Sequence, residues 1–155
     1  MNPVCRFIEF ISDLTFEEYG YKFNYYPSSY FFKCGGCYEL VRVIMHFLPD
    51  TQIWLSNDFE HCVFNYRGIL YDIDGIIDNI EDYHKATDED MNYLSAGYGG
   101  KYGIAEITFN HKRPSDALIE EIMECKIEHL IEACKNMDDT PDYYKQKKLV
   151  KSNLK

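Results

Sequence analysis

A cysteine, a histidine and two aspartates in the first half of the chain have the types and spacing of a thiol-based catalytic site. Cys37 follows Gly35-Gly36 at the predicted start of a helix, where backbone amides and the helix dipole favour a thiolate. A thiolate nucleophile also needs a base within hydrogen-bond reach and a group that orients this base. His61, Asp72 and Asp74 lie on the two strands predicted next, and they could fill both roles.

The predicted hairpin brings these polar residues to one face of a sheet. Arg67-Gly68 predicts a tight turn between the strand of the histidine and the strand of the aspartates. With a symmetric loop, Asp74 lies directly opposite His61 and Asp72 is its diagonal neighbour, and opposed residues share a face. A loop with an odd number of residues would turn one strand over and separate them. The residues alone therefore do not decide whether Asp72 or Asp74 is the partner of His61.

The elements that must position this site predict an α+β fold, with helices packed on a small antiparallel sheet. Apolar residues at helical spacing predict the helices, and short apolar or alternating runs predict the strands. Helices are expected at 3–18, at 36–48, near a capping motif at 87–90, and from Pro114 to Cys134 as one long helix. Strands are expected at 51–56, 61–66, 69–74 and 102–110.

The bulk composition limits the classes of protein. A chain of 155 residues with 46% hydrophobic residues predicts one domain, 1–155, with a real core. A net charge of -10 argues against nucleic acid as a partner. Lysines are concentrated between 145 and 155, and we expect 138–155 to form a frayed or basic tail.

The sequence also indicates the cellular compartment of the protein. No apolar run approaches the length of a membrane helix, so no membrane partner is expected. The first ten residues lack the pattern of an export signal. Six cysteines without such a signal favour reduced thiols. We therefore expect a cytoplasmic protein.

The order of the motifs resembles the papain-like thiol fold. More narrowly, three segments are similar to small bacterial and phage proteins of the transglutaminase-like and cell-wall-peptidase-like group. The segments are Gly36-Cys37-Tyr38, His61-Cys62-Val63 and Tyr71-Asp72-Ile73-Asp74-Gly75. This resemblance covers about residues 28–78. It implies a papain-like core with the cysteine at the N-terminus of a helix.

The resemblance also assigns roles. It implies that Cys37 is the nucleophile, that His61 is the base, and that Asp72 rather than Asp74 orients the base. The sequence departs from this family in one respect, because no clear glutamine for an oxyanion hole precedes Cys37. Tyr30 or the backbone amide of Cys37 would have to donate the hydrogen bond to the oxyanion instead.

The function predicted on this basis is a thiol hydrolase or acyltransferase that acts on an amide or other acyl bond of a protein or peptide-like substrate. No cofactor and no metal are expected. Peptide cleavage, deamidation and acyl transfer all remain open, and so does the oligomeric state.

Two alternatives accompany this hypothesis. A free cysteine is often a small buried hydrophobe, and Cys37 lies on an apolar stripe, so a catalytically degenerate fold could serve as a protein-binding module such as a phage-type inhibitor.

Cys34-Gly-Gly-Cys37 could instead be a redox or zinc motif. No apolar strand leads into this motif, which argues against redox chemistry. Adjacent strand residues point to opposite faces, so His61 and Cys62 could hardly share one zinc ion. Within a thiol enzyme, Cys34 could still protect Cys37 as a resolving thiol.

Overall fold

Helices and one antiparallel sheet make up the fold in the computed structural model, which describes residues 2–14, 32–33, 36–97, 114–138 and 143–153. The helices are α1 (Pro3–Leu14), α2 (Cys37–Phe47), α3 (Asp88–Gly97), α4 (Pro114–Met123), α5 (Glu128–Lys135) and α6 (Tyr143–Asn153). The strands are β1 (Gln52–Ser56), β2 (Cys62–Tyr66), β3 (Ile69–Asp72), β4 (Gly75–Ile76) and β5 (Tyr83–Lys85), with a 3-10 helix at Ile80–Asp82. The predicted α+β class is confirmed.

The sheet is built around the β2–β3 hairpin and has the strand order β4-β3-β2-β1-β5. Tyr66 pairs with Ile69 across a two-residue turn, so the predicted symmetric loop is confirmed. Both turn residues, Arg67 and Gly68, have positive φ angles of 52° and 92°, the conformation that matches the twist of the flanking strands. This turn fixes which residues of the two strands share a face.

The sheet carries apolar side chains on both faces. Phe64 of β2 and Tyr71 of β3 stack at 5.3 Å between ring centroids within the main core, which also contains α1 and α2. Val63 and Leu70 point the opposite way, into a smaller cluster that Tyr144 of α6 partly covers. The Tyr144 hydroxyl accepts the Leu70 N–H at 2.7 Å. The part of the chain expected as a frayed or basic tail therefore contains a helix that packs on the sheet.

Two helix starts are set by short polar side chains. Asn2 Oδ1 accepts the N–H of Val4 at 2.7 Å and so caps α1. The Asn2 amide also donates to the Tyr71 hydroxyl at 2.8 Å, which ties α1 to β3. At α3, Thr87 and Asp90 exchange side-chain to backbone hydrogen bonds, both of 3.1 Å. This reciprocal cap confirms the helix start predicted at 87–90.

The prediction of one long helix from Pro114 to Cys134 is wrong, because this part of the chain forms two helices, α4 and α5. The N–H of Cys125 bonds to the carbonyl of Ile122 and the N–H of Ile127 to that of Cys125, so tight turns replace the helical ladder. The apolar stripe also steps by five residues from Ile122 to Ile127, which no helix face accommodates. The break lets α4 pack on α2 while α5 packs on α1.

The remaining element predictions differ in smaller ways. The predicted strand at 69–74 ends at Asp72, and β5 was not predicted because three residues carry too little pattern. The predicted strand at 102–110 and the end of the first helix, 15–18, lie outside the described residues. None of the described helices has the length and apolar character needed to cross a membrane.

A buried carboxylate joins α2 to α4. Glu39 is fully buried, and its Oε1 accepts both the N–H of Ser115 at 3.2 Å and the Ser115 hydroxyl at 3.1 Å. Arg42 donates to the same hydroxyl at 2.7 Å and lies 3.4 Å from Asp116. Because Glu39 lies one helical turn or less from Cys37, this contact also fixes the position of the cysteine.

We expect Glu39→Ala to lower the free energy of unfolding by about 1–3 kcal/mol, because it leaves the buried Ser115 N–H without its acceptor. The measurement is urea denaturation of the variant beside the wild type. Asp116→Ala is the matched control, since an exposed ion pair contributes less than about 1 kcal/mol. An equal loss of unfolding free energy in the two variants would show that the buried bond from Ser115 to Glu39 does not stabilise the fold.

Candidate active site

Cys37 is the first residue of α2 and lies just inside the protein. Gly36 forms the N-cap without any side-chain cap. The Cys37 side chain is 3% exposed and belongs to the main core, with Leu40 and Val41 on the same helix. The predicted placement of the thiol at a helix start is thus confirmed, and the thiol is largely shielded from solvent.

The backbone of His61 is held by β1 immediately before β2 begins. The N–H of His61 donates to the Ser56 hydroxyl at 2.8 Å, and its carbonyl accepts the Ser56 N–H at 2.8 Å. The imidazole Nε2 lies 3.1 Å from Asp72 Oδ2. The ring also interacts with the Cys37 side chain. The structure therefore brings the three residues predicted for catalysis together, with the imidazole in the middle.

Both oxygens of the Asp72 carboxylate are engaged. Oδ2 contacts His61, and Oδ1 accepts the backbone N–H of Asp74 at 2.8 Å. The Asp72 side chain is only 20% exposed. A carboxylate held at both oxygens has one orientation, so Asp72 can fix the plane of the imidazole as well as its position.

The charge state of His61 follows from these contacts. Burial lowers the pKa of the imidazole, but the hydrogen bonds to Asp72 and Cys37 and their negative charge outweigh burial and raise the pKa to about 9. The ring is therefore protonated at neutral pH. An imidazolium beside a thiol stabilises the thiolate, and its second N–H bonds to Asp72.

Asp74, the other predicted partner of His61, points elsewhere. The direct cross-strand pairing of His61 with Asp74 requires a longer ladder than the structure contains. β3 ends at Asp72, and the chain turns into β4 through Gly75, which has a φ of 107°. Asp74 lies in that turn and forms an exposed ion pair with Lys33 at 3.1 Å.

Other predicted site residues lie outside the described part of the chain. Tyr30, the expected oxyanion donor, and Cys34, the expected resolving thiol, are among them. Cys62 points away from His61 into the main core, and burial raises its pKa well above the usual value. Among the described residues, no group of three or more His, Cys, Asp or Glu side chains is arranged to hold a metal ion.

Sequence reasoning missed the loop that precedes His61. The Ser56 hydroxyl accepts the N–H of Glu60 at 3.0 Å as well as that of His61, and Phe59 adopts a positive φ of 59°. Such strain in a residue other than glycine is often kept at functional sites. The signal available in the sequence was Ser-Asn-Asp at the end of a strand, since these residues favour turns.

His84 also has partners that the sequence did not predict. Its Nδ1 lies 2.8 Å from Asn57 Oδ1, and its Nε2 lies 3.3 Å from Asp90 Oδ2. The ring of Phe59 packs edge-on against it at 5.6 Å. These contacts join the start of α3 to the loop before His61, so His84 supports the site from outside.

Two cavities differ in their relation to the site. The larger, of about 840 Å³, lies at the turn end of the β2–β3 hairpin, where Arg67 bonds to the carbonyl of Met137 and lies 3.7 Å from Asp50. Its described lining contains no nucleophile. A smaller cleft of about 360 Å³ has His61 and Tyr83 in its wall. The smaller cleft adjoins the Cys37–His61–Asp72 group through His61.

We expect the stability of the protein to fall as the pH rises from about 6.5 to about 9. The pKa of His61 is raised from 6.5 to about 9 in the folded state. The contribution of His61 to the free energy of unfolding is therefore fully present below pH 6.5 and is lost as the pH rises through about 9. The loss should not exceed about 3 kcal/mol. Urea denaturation across this range measures it, with His61→Gln as the reference. A difference between the two proteins that grows with pH would contradict the raised pKa.

The comparisons with known proteins give one match. No curated protein and no solved structure is significantly similar to the chain. Residues 20–132 match the family described as Phage YunG-like protein, and this stretch contains Cys37, His61 and Asp72. Because the match spans well over half of the 155 residues, the chain belongs to the Phage YunG-like protein family.

Proposed function

We propose that the protein is a thiol hydrolase or acyltransferase that acts on an amide or other acyl bond of a protein or peptide-like substrate. Cys37 is the nucleophile, His61 transfers protons, and Asp72 orients His61. The observation that carries the proposal is the position of the imidazole, which interacts with the Cys37 side chain and lies 3.1 Å from the Asp72 carboxylate. This is the arrangement of nucleophile, base and orienting group that defines a catalytic triad.

The reaction proceeds in two halves. The Cys37 thiolate attacks the carbonyl carbon, and the protonated His61 gives its proton to the leaving amine as the intermediate collapses to a thioester. Water or an amine then attacks the thioester while His61 takes up a proton from it. Collapse of the second intermediate releases the acyl product and restores the thiolate. Water as the acceptor gives hydrolysis, and an amine gives acyl transfer.

Asp72 supports both halves through the second ring nitrogen. Its contact with Nε2 directs the other nitrogen of His61 towards Cys37. The bond from the Asp74 N–H to the other carboxylate oxygen prevents Asp72 from turning away. Without this contact the imidazole could adopt the other tautomer, which cannot pass the proton in the right direction.

The proposed papain-like core is supported by the order of the elements. A helix that begins with the cysteine packs on an antiparallel sheet, and the sheet carries the histidine and the aspartate on neighbouring strands. The donors that would stabilise the oxyanion stay a prediction, with the Cys37 amide at the N-terminus of α2 as the candidate within the described residues.

A second candidate function is a protein-binding module on a catalytically silent version of this fold. The observation that favours it is the burial of Cys37, whose side chain is only 3% exposed. A buried thiol can be a packing residue without any chemistry. The two functions differ in the reactivity of this one thiol, so reactivity is the quantity to measure.

We expect iodoacetamide to label Cys37 at least about tenfold faster than Cys125 at about pH 6.5, because a cysteine at a helix N-terminus beside a protonated imidazole is the environment of reactive cysteines. Mass spectrometry of peptides after timed labelling gives both rates in one sample. Cys125, which is partly exposed, is the internal reference. If Cys37 reacts no faster than Cys125, the binding-module candidate replaces the enzyme.

Asp72→Asn and Asp74→Asn should differ in their effect on the labelling of Cys37. We expect Asp72→Asn to slow the labelling of Cys37 by about tenfold or more, because His61 loses its orienting charge. Asp74→Asn removes only an exposed ion pair with Lys33 and should change the labelling rate by less than about twofold. Melting temperatures of both variants show whether the fold is intact.

The reverse pattern, with Asp74→Asn silencing Cys37, would show that the third member of the triad is misassigned. An unchanged rate in both variants, with Cys37 still reactive, would remove the orienting aspartate from the mechanism altogether.

A further inference from the structure

We propose that the cavity of about 840 Å³ at the turn end of the β2–β3 hairpin binds a sugar through its hydroxyl groups. The volume of this cavity lies within the range of small-molecule sites. Its described lining includes Asn65 near the end of β2, whereas His61 directly precedes the start of that strand. Four residues of extended chain span about 13 Å. The cavity is therefore a second site, separate from the proposed catalytic group.

The wall of this cavity contains a buried amide with an unsatisfied donor. Asn65 is only 8% exposed. Its Oδ1 accepts the backbone N–H of Gly68 at 3.0 Å, so the oxygen end of the amide faces the turn. The Nδ2 end then faces away from the turn, and no acceptor among the described residues bonds to it. A buried donor without an acceptor is costly, so an oxygen atom bound in the cavity would stabilise this amide.

A second carboxamide lies beside the first. Gln52 of β1 pairs directly with Asn65 of β2, so the two side chains share one face of the sheet, and both line the cavity. The indole N–H of Trp54 donates to Gln52 Oε1 at 3.2 Å. In both amides the oxygen is thus engaged by a protein donor, which directs the amide nitrogen to the other side. Two neighbouring amide nitrogens match a ligand with two closely spaced oxygen atoms.

The charges of the wall favour neutral oxygen atoms over those of an anion. Asp50 and Asp138 both line the cavity. Arg67, the one cation of the described lining, is engaged with the carbonyl of Met137 and lies 3.7 Å from Asp50. A phosphate or carboxylate in the cavity would therefore meet more negative than positive charge. A neutral hydroxyl can accept a hydrogen bond from an amide and donate one to a carboxylate.

A sugar is the class of ligand that matches these features together. Neighbouring ring carbons of a sugar carry hydroxyls, so one ring offers closely spaced acceptors and donors. Ile80 and Met137 give the wall an apolar part against which the C–H groups of the ring can pack. A nucleobase matches less well, because the described lining contains no aromatic side chain for stacking.

The first test is a titration followed by heteronuclear NMR, in which the side-chain amides of Asn65 and Gln52 are observed directly. The probes are maltose, lactose and N,N′-diacetylchitobiose. We expect at least one of them to shift the Asn65 side-chain resonances and the Gly68 backbone resonance saturably. Tetrahydropyranylmethanol has a similar ring with a single hydroxyl, and it should bind at least about tenfold more weakly than that sugar.

Two variants remove the amide donors but keep the oxygen atoms. In Asn65→Asp and Gln52→Glu, a carboxylate oxygen can still accept the bond from Gly68 or Trp54. We expect Asn65→Asp to weaken sugar binding at least about tenfold and Gln52→Glu at least about threefold, because an acceptor replaces a donor. Asn92→Asp makes the same change of charge on α3, outside the described lining, and should leave binding unchanged.

Melting temperatures show whether each variant is folded. Gln52 lies at the surface, so Gln52→Glu still tests the site if Asn65→Asp does not fold. The proposal is overturned if none of the three sugars shifts the Asn65 side chain, or if the ring with one hydroxyl binds as tightly as they do. Equal effects of Gln52→Glu and Asn92→Asp would also overturn it.

A parallel titration tests the competing ligand classes. Nα-acetylglycinamide represents a peptide, and sulfate represents an anion. We expect both to bind more weakly than the sugar, and tighter binding of either one would show that the cavity does not take a sugar. None of these measurements depends on Cys37, so a slow thiol in the iodoacetamide experiment would remove the proposed enzyme and leave the sugar site intact.

Discussion

A buried imidazole destabilises a protein unless its ring nitrogens have hydrogen-bond partners. His61 satisfies this constraint with side chains from two other elements, Cys37 at the start of α2 and Asp72 at the end of β3. The start of α2, the beginning of β2 and the end of β3 must therefore meet at one point. A shift of any of the three would leave a polar group buried without its partner, and much of the structure can be understood as the means of preventing that shift.

Two polar anchors act on either side of His61. On the side of the thiol, the buried Glu39 fixes α2 against α4 through Ser115. On the side of the sheet, Ser56 holds the His61 backbone through its hydroxyl and its own N–H. Each anchor includes a hydrogen bond to a backbone N–H, that of Ser115 on α4 in one case and that of His61 in the other, so each holds main chain near the site. The geometry of a catalytic group is more precise when the main chain beneath it cannot move.

The sequence contained the local part of this arrangement. The apolar spacing from 37 to 48 predicted α2, and Arg67-Gly68 predicted the turn that sets the hairpin register. These are signals between near neighbours in the chain, and they were sufficient to place Cys37, His61 and the aspartates close together. The choice of Asp72 over Asp74 depended on where β3 ends, and strand ends are poorly marked in a sequence. The resemblance to thiol enzymes, rather than the pairing argument, favoured Asp72.

The contacts that the sequence did not reveal connect residues far apart in the chain. Glu39 and Ser115 are separated by 76 positions, and nothing in a single sequence pairs them. The break between α4 and α5 has a similar origin, because α4 packs on α2 and α5 on α1, and the need to reach two different partners overrode a continuous helical pattern. Tertiary packing, and not local helix propensity, therefore determines where these helices end.

The burial of Cys37 has a consequence for how the proposed reaction must run. The thiol is covered by its own helix and the main core, while the cleft opens on the side of His61. In the proposed reaction, an acyl group that enters through this cleft passes the imidazole that gives a proton to its leaving group. Under the proposed function, the residues of the 56–60 loop and Tyr83 line the way to His61. The helix and the hairpin then supply the chemistry, while the loop, held by Ser56 and in contact with His84, forms a wall of the cleft. The side chains of this loop can then change without disturbing the contact between His61 and Asp72.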